Sequence, residues 1–408
     1  MTSNKFPGGT IRSVEAMKTR CAKSGERYPC VGRLVALRGY DGKELWRMRV
    51  FATPFQINCG NIDVDQDGKF DCIASGRLGT ALAFDPRKGA VLWSIDTSVV
   101  HFAWNFYNAL IMPDFTQDGV PEVLFTHGGD NKYKAEMHKR DAGRLVLVDG
   151  RSGHSLGRYL NMSEYKETYI SPVLHTTKDG SQYVLYGDGG ETVKGDFLGI
   201  ALPDLFRHVK NLPRSAPVPS TRGSYTSWRD KVEYLENGVF AIYRSTLKGV
   251  MTTPTLVDMN NDGVRDIAMS AYDGTMTLYD GDTLNVMWTT TTFLGYESYS
   301  SLAPGYFNSD DHLDFMLIVN KGAFPTYKYS LKVVLDGTNG NVLWQMNVTQ
   351  YAQTSILVAR TTETYRDAFV FRVQGVLDPD RSGVRNLLLR RKTQFVIKTL
   401  LLQRDRDR

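Results

Sequence analysis

The feature that most restricts the fold of this chain is a pair of short repeats that recur in phase. One is a hairpin signature ending in tryptophan. Its copies are Arg38-Gly-Tyr-Asp-Gly-Lys-Glu-Leu-Trp46, Asp85-Pro-Arg-Lys-Gly-Ala-Val-Leu-Trp93, Asp149-Gly-Arg-Ser-Gly-His-Ser-Leu-Gly157, Asp280-Gly-Asp-Thr-Leu-Asn-Val-Met-Trp288 and Asp336-Gly-Thr-Asn-Gly-Asn-Val-Leu-Trp344. An apolar alternating run precedes each copy, so each reads as strand, Asp/Gly turn, strand. Four of the six Trp share one register. Gly42, Gly89, Gly153 and Gly340 share one turn position, which predicts a positive φ there.

The second repeat is acidic, with the form D-x-[DNT]-x-D-G-x-x-[DE]. Asp63-Val-Asp65-Gln-Asp67-Gly68-Lys-Phe-Asp71 fits it fully. Asp258-Met-Asn260-Asn-Asp262-Gly263-Val-Arg-Asp266 carries Asn at the third position, and Asp114-Phe-Thr116-Gln-Asp118-Gly119-Val-Pro-Glu122 carries Thr. Three copies are worn: His175 to Tyr183, Tyr306 to Asp314, and Asp378 to Asn386.

The two repeats keep a fixed offset, since 30 residues separate Asp63 from Trp93 and also Asp258 from Trp288. One unit therefore reads acidic loop, strand, strand, turn, strand ending in Trp, and a further strand. Acidic loops start 51 residues apart at Asp63 and Asp114, and 48 apart at Asp258 and Tyr306. Four strands in that length is the size of a propeller blade. The expected fold is all-β: a single β-propeller of four-stranded blades, six or seven in number. A linear solenoid is disfavoured, because its worn repeats belong at the ends. The hairpin Leu34 to Trp46 has no acidic loop before it, and the loop at Asp378 has no Trp hairpin after it. The N- and C-terminal strands are therefore expected to pair and close the ring, which removes free edges. The layout is an N-terminal segment over 1–30, a propeller over 31–402 and a charged tail over 403–408. Within the propeller, 207–227 is rich in Pro, Ser and Arg and reads as an inserted loop. A seventh blade, if present, falls around Tyr234 to Ser245.

Composition narrows the partners. The 49 Lys and Arg against 44 Asp and Glu leave a net charge of +5, evenly spread, which argues against nucleic acid. Only Arg390 to Arg408 is clearly basic, and it reads as a solvated tail. No run of about 18 apolar residues is present to span a membrane, and the first thirty residues hold no apolar core of a signal peptide. The cysteines point the other way. Cys21 and Cys30 bracket a short polar segment, while Cys59 and Cys72 bracket the first acidic loop. Two local disulfides there mean an oxidising compartment; the alternative is four buried thiols. Zinc is disfavoured, because there is no CxxC spacing and no His nearby. Asn161-Met-Ser163 and Asn347-Val-Thr349 are glycosylation sequons, at about the number that chance supplies.

Oxygen ligands at alternate positions 1, 3 and 5, a Gly at 6 and a carboxylate at 9 suit a hard cation. The expected metal is a structural Ca2+. Its candidate ligands are Asp63, Asp65, Asp67 and Asp71, then Asp258, Asn260, Asp262 and Asp266, then Asp114, Thr116, Asp118 and Glu122. The bland alternative is that Asp, Asn and Gly simply make good turns. In the three worn loops metal is not expected.

No catalytic signature stands out. The seven His show no HExxH pair, and there is no GxSxG, P-loop or GxGxxG after a strand. Gly187-Asp-Gly-Gly190-Glu-Thr-Val-Lys194 lacks the Walker order and reads as a mobile loop. Ser245-Thr-Leu-Lys248 fits SxxK without the companion motifs. His127-Gly-Gly-Asp130 sits where a blade-top loop would face the central channel, and an ordinary turn is the better reading. The aromatic run Trp104-Asn-Phe-Tyr107, with Phe55, Tyr169, Tyr299 and Tyr365, reads as packing between blades.

The acidic repeat resembles the FG-GAP repeats of integrin α-subunit propellers, where such loops hold Ca2+. The Trp hairpin resembles the tryptophan-docking repeat of pyrroloquinoline-quinone dehydrogenases. Both in one unit, over roughly residues 31 to 400, resemble the "family with sequence similarity 234". The segments that carry this are Cys59-Gly-Asn-Ile-Asp-Val-Asp-Gln-Asp-Gly-Lys-Phe-Asp-Cys72, Ala83-Phe-Asp-Pro-Arg-Lys-Gly-Ala-Val-Leu-Trp93 and Gly249-Val-Met-Thr-Thr-Pro-Thr-Leu-Val-Asp-Met-Asn-Asn-Asp-Gly263. The resemblance implies a single-pass membrane protein with a short cytoplasmic N-terminus, an extracytoplasmic propeller and no established enzymatic activity. The chain as given has no such anchor before its propeller. A truncated gene model, an isoform or a soluble relative accounts for that, and the cysteines favour the first.

The functional expectation is a non-enzymatic, extracytoplasmic propeller that binds an unidentified protein through its loops. The main alternative is a Ca2+-dependent carbohydrate-binding or polysaccharide lyase propeller, with basic and aromatic residues lining one face. A quinoprotein-like enzyme is the remote alternative, since no vicinal Cys pair is present.

Overall fold

The computed structural model describes residues 5–6, 9–10, 22–23, 32–130, 136–140, 142–324, 326–348, 356–360, 367–373, 384–387 and 398–402. Cys21, Cys30, Thr349, Tyr365, the start of the worn loop at Asp378 and the tail 403–408 lie outside these residues.

Among the described residues, six antiparallel sheets of four or five strands follow one another along the chain. The first blade is Pro54–Asn58, Cys72–Gly76, Ala81–Asp85 and Ala90–Ser94, paired in that order. The second is Leu110–Ile111, Val123–Gly128, Gly143–Val148 and Leu160–Asn161, with Asn105–Phe106 beside its second strand. The fourth is Thr255–Val257, Asp266–Ser270, Met276–Tyr279 and Val286–Thr290. The fifth is built around Asp314–Ala323, Thr326–Leu335 and Val342–Val348, and the sixth begins at Leu357–Arg360. Middle strands are buried along their whole length, as in Cys72–Gly76 and Val123–Gly128, whereas the outer strand Val286–Thr290 is buried only at Trp288 and Thr290. That is the pattern of a sheet sandwiched between neighbours and exposed along its outer edge.

The third blade corrects two expectations. Val239–Arg244 pairs with Asp196–Ala201 as a fourth strand, so the segment around Tyr234 to Ser245 completes this blade and does not start a seventh. The insertion also begins as a helix, α1, over Leu202–Lys210, so the first residues of 207–227 are helical. Pro203 near its start suits a helix N-terminus, where the first N–H groups have no intrahelical partner, and Asn211 in the left-handed region ends it.

Each buried cluster joins one sheet to the next. Ile73, Ala83 and Trp93 of the first blade pack on Phe106, Val123 and Phe125 of the second. Met316, Val334 and Met346 of the fifth pack on Phe369 and Phe371 of the sixth. The tryptophan hairpins peg these seams. Trp46, Trp93 and Trp288 each donate the indole N–H, at 2.8 Å, to a carbonyl in the next blade's Asp turn: Pro86, Gly150 and Gly337. Their rings lie on Gly89, Gly153 and Gly340, where a Cβ would come within 2.5–2.7 Å of ring atoms. Those glycines also hold φ of +65° to +74°, so two separate constraints select glycine.

Among the described residues, two seams lack an outer-strand Trp and improvise. Between the second and third blades, where Gly157 replaces Trp, α1 fills the space and Phe206 packs at a tilt on Phe115, ring centres 4.7 Å apart. Between the third and fourth, His175 donates from Nε2 to Gly281 O at 2.7 Å, and Trp228 donates to Asp282 O at 3.1 Å. Burial lowers His175 to about 4, so its ring is neutral at this bond. The hairpin Gly32–Leu37 with Glu44–Val50 packs on the first blade and forms a two-stranded sheet of its own. Among the described residues no ladder joins it to the C-terminal strands. Among the described residues no helix is long and apolar enough to cross a membrane.

Candidate functional site

Strand order divides the loops between two ends of the propeller. In each four-stranded meander the acidic loop links strands one and two, and the Asp turn links strands three and four. Antiparallel pairing puts both at the same end. The links between strands two and three, and the crossings between blades, lie at the opposite end.

At the first end the three well-formed acidic loops share one bonding scheme. Asp63, Asp114 and Asp258 each accept the N–H of the glycine five residues on, at 2.8, 2.9 and 3.0 Å. Gly68, Gly119 and Gly263 hold φ of +82° to +87° to make this possible. The ninth-position carboxylates Asp71, Glu122 and Asp266 are fully buried and accept the N–H of Val64, Phe115 and Met259. Burial pushes all three above the usual carboxylate range.

The loops differ in what they gather. In the first, Asp63, Asp65 and Asp71 offer carboxylate oxygens all within 4.8 Å of one another. Asp71 Oδ1 is buried and has no hydrogen-bond partner among the described residues. An oxygen-only set with an orphaned buried carboxylate oxygen fits a hard divalent cation such as Ca2+. Asp67 turns away, held by Arg87 Nη2 at 2.6 Å. In the second loop Asp118 is likewise tied to Arg151, and the Thr116 hydroxyl reaches Asp114 at 3.4 Å. In the third, the Asn260 amide donates to Asp280 at 3.0 Å. A second gathering of three carboxylates lies in a worn loop, where Asp310 and Asp314 meet Asp336 from the Asp turn of the same blade. Linear spacing could not show that meeting, because Asp336 lies on another connection. The predicted disulfide Cys59–Cys72 is formed and closes the first loop at its base.

The opposite end carries a buried polar chain outside the acidic and tryptophan repeats. Arg140 Nη1 lies 3.4 Å from Glu167 and 3.5 Å from Glu191. Tyr169 donates its hydroxyl to Glu167. From Glu191 the chain continues through Tyr299 at 3.5 Å, Tyr272 at 2.7 Å and Tyr327 at 2.5 Å to Glu297 at 2.5 Å. Lys248 closes it on Glu297 at 3.2 Å. Four links run from Glu191 to Glu297, but three tyrosine hydroxyls supply three protons. All four links are complete only when one of the two carboxyls keeps its proton. Burial pushes Glu191 up and Glu167 to about 7, and nearby Asp188 to about 7 as well.

The loop that delivers Glu191 is the glycine-rich stretch read from sequence as mobile. The structure pins it instead: Gly189 N–H donates to Glu167 O, Gly195 N–H to Lys248 O and Gly249 N–H to Gly190 O. A Cβ on Gly190 would lie 2.1 Å from Glu167 Oε1, so only glycine lets the carboxylate sit there. Tyr169 and Tyr299 do pack between blades as the aromatic pattern suggested, and their hydroxyls also join the chain. His127 belongs to the core: it is fully buried, stacks on Phe106 at 3.9 Å and accepts the His101 N–H. Burial lowers it to about 3.

The family model for the FAM234A/B β-propeller matches residues 10–390. The chain belongs to this family. Human Protein FAM234B is 22% identical to it over 84% of this chain and 51% of the relative. Bovine Protein FAM234A is 24% identical over 89% of this chain and 58% of the relative. The chain thus spans about half the length of the curated FAM234 relatives it matches. Among solved structures, BamB from Moraxella catarrhalis aligns with a TM-score of 0.37 and 14% identity, covering 92% of this chain and 90% of that one. Sqt1 from Saccharomyces cerevisiae aligns with a TM-score of 0.45 and 8% identity, covering 91% and 78%. Both likenesses are too distant to carry an argument about this FAM234 propeller.

Proposed function

We propose that this FAM234 propeller is a non-enzymatic, extracytoplasmic domain that binds another protein and whose first acidic loop is stiffened by Ca2+. The observation that carries the reading is the gathering of Asp63, Asp65 and Asp71 around a buried, unpartnered carboxylate oxygen inside a disulfide-closed loop. Three carboxylates so close repel one another without a cation. A disulfide persists in oxidising compartments, where millimolar Ca2+ is also found. Binding is favoured over catalysis because Glu167, Glu191 and Glu297 are each engaged by an Arg, Lys or Tyr of the same chain. Membrane attachment, on this reading, comes from parts of the protein outside these residues.

Thermal unfolding in EGTA and in millimolar Ca2+ tests the metal. Binding to the folded state alone stabilises by about 2.7 kcal/mol at a hundredfold excess over Kd. The midpoint is expected to rise with Ca2+, not with Mg2+, and the rise is expected to vanish in Asp63→Ala/Asp65→Ala. An unchanged midpoint in the native chain sinks the calcium reading and leaves the acidic loops as turns.

A further inference from the structure

The first acidic loop differs from the other two in its frame. Cys59 directly follows the first strand of the first blade, Pro54–Asn58, and Cys72 opens the next strand. The bond between them spans 13 residues and encloses Asp63, Asp65 and Asp71. Cys72 directly follows Asp71, whose Oδ1 is buried without a partner. Cys72 is buried within the strand ladder, paired with Phe84, while Cys59 occupies an exposed position. The loops at Asp114 and Asp258 have no cysteine at either end.

We propose that the thiol–disulfide state of Cys59 and Cys72 sets the Ca2+ affinity of this loop. The inference rests on the calcium reading above and adds its regulation. With the bond closed, both loop ends are fixed and the three carboxylates are held in register despite their repulsion. With the bond open, the Cys59 end loses its covalent tie, and repulsion among Asp63, Asp65 and Asp71 spreads them as far as the Asn58–Ile73 pair and the buried Ile62 and Val64 permit. Binding must then reorder the loop, so affinity falls. Other contacts share in holding the loop: the ladder pair Asn58 with Ile73, the buried side chains of Ile62 and Val64, and the bonds of Asp71 N–H to Ile62 O and Val64 N–H to Asp71 Oδ2, so the disulfide adds to a frame that is already closed at its neck. Two linked equilibria must be reciprocal. Bound Ca2+ therefore protects the disulfide by the same factor by which the disulfide favours Ca2+. The redox step is a two-electron exchange with a glutathione couple. Two thiols give the Cys59–Cys72 bond, each losing its proton and one electron, while glutathione disulfide accepts both electrons and both protons and leaves as two glutathione thiols.

The test uses the full chain and Ca2+ alone as ligand. Calorimetric titration of the oxidised chain is compared with Cys59→Ser/Cys72→Ser, which leaves Cys21 and Cys30 untouched. The expected result is affinity weaker by roughly tenfold in the variant. In parallel, the native chain is equilibrated in glutathione buffers with EGTA or with Ca2+, and the Cys59–Cys72 peptide is quantified by mass spectrometry. That arm needs no variant to fold. Its midpoint should shift toward more reducing buffer with Ca2+ by the same roughly tenfold factor, and the shift should disappear in Asp63→Asn/Asp65→Asn. Calcium that binds both redox states equally, with no shift in the glutathione midpoint, overturns the coupling while the calcium reading stands. Calcium that fails to bind the oxidised chain at all overturns both.

Discussion

The two ends of the propeller are built by different rules. The end with the acidic loops and Asp turns is made from one short pattern used again and again. Its bonds join residues within a few positions of each other, or join one blade's Trp to the next blade's turn. The opposite end is less regular. Its chain from Arg140 to Lys248 draws on connections of the second, third, fourth and fifth blades, and only Glu167-Thr-Tyr169 and Glu297-Ser-Tyr299 among its members recur at equivalent positions. A repeated end can be conserved by local geometry alone. The irregular end requires distant residues to arrive together, and it holds Glu167 and Asp188, both pushed up to about 7 by burial.

The sharpest break in this comparison is at a docking tryptophan. Trp93→Ala removes a ring that is 6% exposed, together with its bond to Gly150 O. Chemical denaturation should show a loss of about 3–5 kcal/mol. Trp228→Ala should cost about as much, although Trp228 lies in an insertion, because it is fully buried and fills the same kind of seam.

A smaller effect separates the ends by pH. In the folded chain Glu167 and Asp188 titrate near 7, above the ordinary carboxylate values of 4.5 and 3.8. Below those ordinary values both states hold the protons, and the stability these groups contribute is full. As pH rises toward about 7 the unfolded chain has released protons that the folded chain still keeps, so stability falls. In EGTA the native chain should therefore be more stable near pH 5 than near pH 8, and Glu167→Gln should flatten that slope by about 1–2 kcal/mol. A slope identical to that of the native chain would remove Glu167 from the account. Calcium at the other end should respond with the opposite sign, since protons compete for its carboxylates.

Tyr299→Phe deletes one hydroxyl from the chain and should cost about 1 kcal/mol. The smallest effect is expected at Arg47→Ala. Its ion pair with Glu44 is solvent-exposed, and the unfolding midpoint should not move measurably.

The same contrast explains what could be read from the sequence. The blade pattern, the positive φ at Gly89 and Gly153, the Trp register and the Cys59–Cys72 bridge were legible, because each depends on spacing within one unit. Trp228, α1 and His175 were not read as seam fillers, because they act across blades and outside the repeat. The stretch Gly187 to Lys194 looked mobile because glycine usually signals freedom. Here it allows backbones to touch, and Gly190 makes room for Glu167. Asp336 joins Asp310 and Asp314 only through the sheet, which no linear motif records.

The forward reach of each docking tryptophan has a consequence for how such a molecule can change over time. Because Trp46, Trp93 and Trp288 meet the same carbonyl position in the blade that comes next, these seams are joined by one standard coupling, with the indole on one side and the Asp turn on the other. Units with such couplings can be duplicated, lost or exchanged without redesign of their neighbours. The third blade, which draws its tryptophan from an insertion, shows that a unit can even lose its own half and survive once another segment supplies it.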